Sequence, residues 1–596
     1  MERKIKKRAQ FYGVVAVLLA IVLGALCYNF GVNPLEFELP PSSALLGTFE
    51  SYEQLRSFLM ANSKTQGAFP FYGPWDFSIL APLERGLGDY LAEQGLEFDY
   101  STTNIQVAGV DEADIVKTDG EHIYLVSGNN VSILKAYPTE ETEVLSKITF
   151  NDTYPVGIFV SGDRLTVLGC EYTVPSQSYY EYFYVDVKTF VNIYDISDKT
   201  NLTLLRNFTI SGSYFNSRMI GEYVYFIVSQ PAYVIYDTVI LPKIYSSDGI
   251  EEVSASEIHY SNASDNYYMY TTVAALNMQK TEEEPTHITV MLGGTSSMYV
   301  SLNNIYVTFP EPYGKTSVYR IHIENSTLNC EAHGKVLGRE LDQFSMDEYD
   351  NYFRIATTTW INGDTQNNVY ILDMNLSAVG NLTNIAPGEA IDSARFIGDR
   401  CYLATSVVQR DPFFVIDVEN ASDPKILGYL KIPGFTRYLH PYDENHIIGI
   451  GKDEDNDVKI SLFDVRNVSY PIEMSKYEID GDWSDTPVLT EHKAFLFDKS
   501  KQLLALPVSI SFIEFKDSEY YTKGYWQGTY VFNITLSGIV LRGNITHQED
   551  DVNGWYSSHW VKRALYIEDI LYTVSDKKIK MNSLEDLAFL KEIELS

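Results

Sequence analysis

Cysteine is nearly absent from this chain. The four in 596 residues, Cys27, Cys170, Cys330 and Cys401, exclude a disulfide-stapled scaffold, and their separations match no metal-ligand spacing. One disulfide among Cys170, Cys330 and Cys401 would leave one thiol over. Positive charge is also scarce: 45 Lys plus Arg stand against 80 Asp plus Glu, a net charge of −35. That field repels phosphate backbones, so nucleic acid is not an expected partner. Its plainest use is solubility.

Contiguous catalytic motifs are missing as well. There is no H-E-x-x-H, no G-x-S-x-G, no P-loop and no C-x-x-C, and the ten His are scattered without ligand spacing. No catalytic residue is nominated. Long amphipathic helical patterns are absent beyond residue 100.

What the chain does have starts at its N-terminus. Residues 1–10, MERKIKKRAQ, are strongly basic, and residues 11–32, FYGVVAVLLAIVLGALCYNFGV, carry no charge. This run is long enough to cross a bilayer as a helix. The flanking cations would hold residues 1–10 in the cytoplasm and send the remainder outside. A cleaved signal peptide is the rival reading, but no small-x-small site follows the run. Leu26 is bulkier than the residue that lipidation at Cys27 would need. We therefore expect a single-pass membrane anchor with an extracytoplasmic body at the cell surface. Twelve N-x-[ST] sequons, from Asn130 to Asn544, fit an outside address and N-glycosylation.

Residues 33–100 read as a juxtamembrane region with two helical stretches, at 51–62 and 83–94. From there the pattern becomes all-β. Short β-branched and aromatic runs alternate with turn residues, and 45 Tyr suit half-buried strands. A unit recurs: an apolar strand such as YPVGIFV, a second such as DRLTVLG, a partner such as VNIYDIS ending in Asp, and a fourth such as LTLLRNFTI. From Asn304 to His446 the spacing is a regular 46 to 48 residues. Four-stranded units at this period predict propeller blades, whereas a β-sandwich array would need longer repeats. We expect an all-β propeller of eight or nine blades over residues 101–596. The recurring Asp195, Asp373, Asp417 and Asp464 are expected to cap turns.

The segment TTNIQVAGVDEADIVKTDGEHIYLVSGNNVSIL, residues 102–134, resembles the opening of a family of secreted, mainly prokaryotic proteins. These carry a C-terminal β-propeller distantly related to WD40 repeats. The VAGVDEADIVKTDG core followed by IYL is a close match, and a looser likeness runs over about 100–596. The resemblance implies the fold and an extracytoplasmic address, and no activity. Physically, Asp111, Glu112, Asp114 and Asp119 read either as a cation site or as the lead-in to the first blade, with Ile115 and Val116 in the core and Asp119-Gly120 turning.

Two site expectations follow. The acidic loop KDEDNDVK could bind Ca²⁺ through Asp453, Asp455 and Asp457, or be a solvated hairpin; no other cofactor is expected. Extra sequence falls between the second and third strands of several units, at 171–188, 229–270 and 509–528. Those loops share one face with the blade-to-blade connections. Tyr180, Tyr182, Tyr236, Tyr268, Trp360, Trp483, Trp526 and Trp555 would gather there to bind an extracytoplasmic protein, peptide or glycan. The alternatives are that these loops only cover blade ends, or that the protein is an extracytoplasmic hydrolase or lyase with a site assembled from several blades.

Overall fold

The computed structural model describes residues 47–62 and 99–595, apart from 174–185, 233, 236, 247–248, 261–267, 312–313, 362, 407–409, 517–518 and 550–556. The expected anchor at 11–32, the helix at 83–94, Cys27, Tyr180, Tyr182, Tyr236 and Trp555 lie outside the described residues. Among the described residues, no helix is long and apolar enough to cross a membrane.

Short strands broken by tight turns form sheets throughout, with middle strands such as His446–Lys452 and Val458–Asp464 buried along their whole length and outer strands such as Lys425–Pro433 partly exposed. Among the described residues, nine sheets carry the same four-strand antiparallel meander, in chain order. We number them blades 1 to 9: residues 116–149, 153–211, 213–292, 297–337, 346–385, 390–433, 435–478, 483–545 and 563–594. Each blade joins its neighbours through apolar side chains between the sheets. Blade 1 packs on blade 2 through Ile133 and Val167, blade 2 on blade 3 through Val191 and Phe226, and blade 3 on blade 4 through Val273 and Ile305. Tyr306 of blade 4 stacks on Phe353 of blade 5 at 4.2 Å. Blades 5 to 9 continue the pattern. Leu125 and Leu134 of blade 1 share a cluster with Tyr572 and Met581 of blade 9, which closes the ring and leaves neither end sheet with an open face.

Closure is reinforced by hydrogen bonds. Lys591 Nζ in blade 9 donates to the carbonyls of Thr139, Glu140 and Thr142 in blade 1, at 3.1, 3.3 and 3.0 Å. Tyr572 donates to Ala136 O at 2.8 Å. Elsewhere the turn between strands 3 and 4 of one blade docks on strand 4 of the preceding one. A Cβ on Gly380 would lie 2.2 Å from Ala421 O, and one on Gly428 2.3 Å from Val468 O, so only glycine allows this approach. The recurring Asp residues do cap these turns: Oδ1 of Asp195, Asp373, Asp417 and Asp464 accepts the backbone N–H two residues on.

The stretch at 51–62 forms a helix, α1 (Tyr52–Asn62), as its periodicity predicts. Leu55 and Leu59 on one face of α1, with Phe49 before it, are buried in the cluster shared by blades 2 and 3. Phe49 stacks on Tyr260 at 3.9 Å. The segment therefore packs on the propeller.

Among the described residues Cys170, Cys330 and Cys401 are free, so none of these cysteines forms the disulfide the sequence left open.

Candidate functional site

Two regions of the ring carry chemistry: the central axis and the face bearing the loops between strands 2 and 3.

The axis is filled by the chain's own lead-in segment. Residues 104–115, which include the VDEAD motif, run along the inner edges of the blades before Val116–Thr118 starts blade 1. Asp111–Glu112 adds to the inner strand of blade 3, with Arg218 opposite Glu112. Asp114 bridges to Ile158 of blade 2. Asn104 Nδ2 donates to the Tyr438 hydroxyl of blade 7 at 3.0 Å and to His492 O of blade 8 at 3.1 Å. Gln106 Nε2 donates to Gln343 O, in the connection before blade 5, at 3.0 Å.

The acids of this motif are not cation ligands, which corrects one of the two readings. Glu112 is 1 % exposed. Its Oε2 lies 3.5 Å from Arg218 Nη2 and 3.3 Å from His492 Nε2. Burial alone would raise its pKa, but Arg218, His492 and Lys493 together hold it well below the usual carboxylate range. Asp114 pairs with the buried Arg563 of blade 9, Oδ1 to Nη2 at 2.9 Å. Asp119 accepts the N–H groups of Glu121 and His122 and makes the turn, as expected. One short segment thus ties together blades 2, 3, 5, 7, 8 and 9. The sequence reading missed this plug. Its only signal was the motif itself, because the basic partners come from distant blades.

Among the described residues no group of three His, Cys, Asp or Glu is placed to hold a metal ion. In the hairpin between Lys452 and Val458, Asp453 Oδ1 accepts the N–H groups of Asp455 and Asp457, each at 2.9 Å. Asp453 caps its own turn instead of converging with Asp455 and Asp457 on a cation.

His547 and His440 are buried, His333 is half-buried, and all three stay neutral at pH 7. His547 bonds Ser575 and Thr573 through its two ring nitrogens, and burial beside Lys580 and Lys578 pushes its pKa down to about 3. His333, stacked on Tyr319 at 4.3 Å, is pushed down to about 4, mainly by burial. His440 is held well below its ordinary value, first by burial and then by Arg395. The unfolded chain takes up these protons near pH 6.5 and the folded one does not. Their stabilising effect is therefore complete above pH 6.5 and declines as pH falls toward 4. Each fully buried His contributes a slope of up to about 1.4 kcal/mol per pH unit in that window. Denaturant midpoints should drop steeply between pH 7 and 5, and His547→Gln should flatten the drop. A stability independent of pH over that range would contradict this account.

On the loop-rich face, the structure separates the nominated aromatics. Trp360 sits at the end of strand 2 of blade 5 (Tyr352–Ile361) and is 57 % exposed. Trp483 and Trp526 pair with Ser511 and Ile510 across blade 8, on the part of that sheet extended by a long hairpin. The hairpin strands, Leu503–Lys516 and Glu519–Thr535, run 14 and 17 residues. Lys452 Nζ lies 4.8 Å over the Trp483 ring. Beside it Tyr525 stacks on Trp560 at 5.5 Å. Trp560 was not nominated, although it lies in a blade-to-blade connection on the same face.

The largest insertion does something else. Lys243–Ser246 pairs with strand 4 of blade 2, and Ile258–Tyr260 with strand 4 of blade 3. It therefore lies over the outer edges of two blades. Tyr268 is 7 % exposed and packs on Phe58 of α1, so it cannot serve as an open contact residue. For this insertion, covering blade edges is the correct reading.

A closed ring of four-stranded antiparallel blades around a filled axis places the molecule among the β-propellers, a fold that fits a binding or scaffold module. The chain belongs to the β-propeller domain family, which matches residues 100–587. It is 28 % identical over 574 residues to an uncharacterized protein of Methanocaldococcus jannaschii, covering 83 % of each chain. It is 27 % identical over 674 aligned positions to an uncharacterized protein of Archaeoglobus fulgidus, covering 97 % of this chain and 99 % of that one. Among solved structures, dihydro-heme d1 dehydrogenase NirN shows 11 % identity and a TM-score of 0.36, with 74 % of each chain covered. The WD40 domain of Toxoplasma gondii coronin shows 11 % identity and a TM-score of 0.21, covering 41 % of this chain and 79 % of that one.

Proposed function

We propose that this protein is a membrane-anchored, extracytoplasmic binding module that captures a protein, peptide or glycan at the cell surface on the face carrying the strand 2–3 loops. The observation that supports this most is the extended hairpin of blade 8, where Trp483 and Tyr525 share one face of the sheet through their common partner Ser511 and Tyr525 stacks on Trp560, while Trp526 lies on the other face of the same sheet. Large aromatic side chains give wide contact area at low entropic cost.

The sequons fall on both faces. Asn201, Asn325, Asn375, Asn420 and Asn467 are exposed in turns between strands 3 and 4, whereas Asn130 follows the strand 2–3 turn of blade 1 and Asn151 lies in the connection from blade 1 to blade 2. The enzymatic alternative, a hydrolase or lyase, would need the ionisable groups on the axis to be open to substrate. Glu112, His440 and His492 are buried.

The test begins with glycan and peptide arrays probed with the purified extracytoplasmic region, followed by affinity measurement for any hit. Trp360→Ala with Trp483→Ala should weaken binding by at least tenfold, equivalent to about 1.4 kcal/mol. Tyr470→Ala is the control, because Tyr470 is 76 % exposed in a strand 3–4 turn on the other face. Loss with Tyr470→Ala and none with the tryptophan pair would overturn the assignment of the face. For the anchor, protease added to intact cells should degrade the propeller and spare a short membrane fragment. A soluble protein starting near residue 30 would refute it.

A further inference from the structure

The ring axis holds hydrogen-bond donors that have no acceptor. Arg395 lies on the inner strand of blade 6 (Ala390–Ile397) and is 1 % exposed. None of its three guanidinium nitrogens has a hydrogen-bond partner. The guanidinium carbon rests 4.5 Å from the centre of the Phe344 ring, which steadies the head group and leaves its in-plane N–H groups unused. Burial lowers its pKa only to about 10, so it stays charged at neutral pH.

His440, on the inner strand of blade 7 (Phe435–Asp443), is also 1 % exposed. This strand is tied to the inner strand of blade 6 by the bond from Ser393 Oγ to Thr436 O at 2.9 Å, and burial first, then the Arg395 charge, opposes protonation of His440. Its Nδ1 lies 3.0 Å from the Tyr438 hydroxyl, which also receives an N–H from Asn104, and its Nε2 has no hydrogen-bond partner. In the tautomer that carries the proton on Nε2, this N–H is a further unused donor.

The nearby carboxylates do not supply the missing acceptor. Asp342 and Asp347 attract Arg395, yet Asp347 is bonded to Arg354 and Asp342 accepts the Phe344 N–H. A buried guanidinium whose N–H groups are left without hydrogen bonds is costly, even with carboxylates near enough to attract it. A planar fork of donors beside an imidazole N–H matches an oxyanion.

We propose that Arg395 and His440 hold a small oxyanion, a carboxylate or a phosphate, enclosed at the centre of the propeller. The site is distinct from the loop-rich face and does not depend on that face binding anything.

The full-length protein, desalted into an oxyanion-free buffer, would be denatured and the released anions identified by ion chromatography. About one oxyanion per chain is expected. In parallel, thermal midpoints would be followed against sodium phosphate and sodium acetate, each compared with sodium chloride at equal ionic strength. One of the two should raise Tm saturably by roughly 2 °C or more over chloride, and Arg395→Met should abolish that response. A response to phosphate alone identifies a phosphate site, and one to acetate alone a carboxylate site. The proposal is overturned if no oxyanion is released and neither salt outperforms chloride, or if Arg395→Met responds like the parent protein. Should that variant fail to fold, the release assay on the parent protein decides.

Discussion

Removing residues 557–596 should abolish cooperative melting of the whole propeller and leave an aggregating chain. The deletion takes away blade 9. It would expose Leu125 and Leu134 of blade 1 and Leu503 and Val531 of blade 8, which now sit in clusters completed by that blade. It also removes Arg563 and leaves Asp114, 4 % exposed, without its charge partner. Breaking one buried ion pair typically costs ~3–5 kcal/mol, a large part of the total stability of a typical domain. A milder change probes closure alone. Lys591→Met keeps the aliphatic stem and loses three hydrogen bonds to blade 1. It should lower stability by roughly 1.5–3 kcal/mol, the usual range for bonds to a charged group. Calorimetry on the two variants is the check. If the truncated chain melted like the intact one, closure would contribute nothing and an open array of sheets would be the better description.

Glu112→Gln should be the most damaging conservative substitution in the lead-in segment. It preserves shape and removes the only carboxylate within 4 Å of both Arg218 and His492 among the described residues. Arg218 keeps Gln343 and two acceptors on its own strand, but loses its counter-charge. A loss of ~3–5 kcal/mol is expected at neutral pH. Replacing both members, Glu112→Leu with Arg218→Met, should recover much of that loss, because two well-packed apolar side chains avoid burying either charge. The double-mutant cycle in urea measures the coupling. Additive losses would mean that the pair does not interact across the plug. Asp111→Asn provides the contrast. Asp111 is half-buried and pairs with Lys117 at 2.7 Å, so its loss should cost about 1 kcal/mol or less.

The stability of this ring thus resides in two kinds of contact. Apolar packing joins each blade to the next and is repeated. The charged plug is made once, and it also links blades that are not neighbours in the ring, such as 3 with 8 through Arg218, Glu112 and His492. This explains why the most distinctive stretch of the chain, VAGVDEADIVKTDG, precedes the first blade: its acids neutralise Arg218 and Arg563, which would otherwise line an empty axis.

The sequence by itself determined what depends on neighbouring residues. Strand after strand was legible because side chains alternate between faces within five to ten residues, and because each Asp cap acts on the N–H two residues on. The four-strand unit, its repetition, helix α1 and the common face of the strand 2–3 loops all follow from such local rules. Only the tertiary structure decided the rest. The Arg563–Asp114 pair spans 449 residues and the Asn104–His492 bond spans 388, and no periodicity encodes which blade supplies the partner of a given charge. The routing of residues 229–270 was hidden for the same reason. An apolar, Tyr-rich insertion reads alike whether it stands in solvent or lies along the outer edges of blades 2 and 3. What selected the second course was the unpaired backbone of those edges, together with Phe49, Leu55 and Leu59 of a segment about 180 residues upstream, which need the same shelter from water.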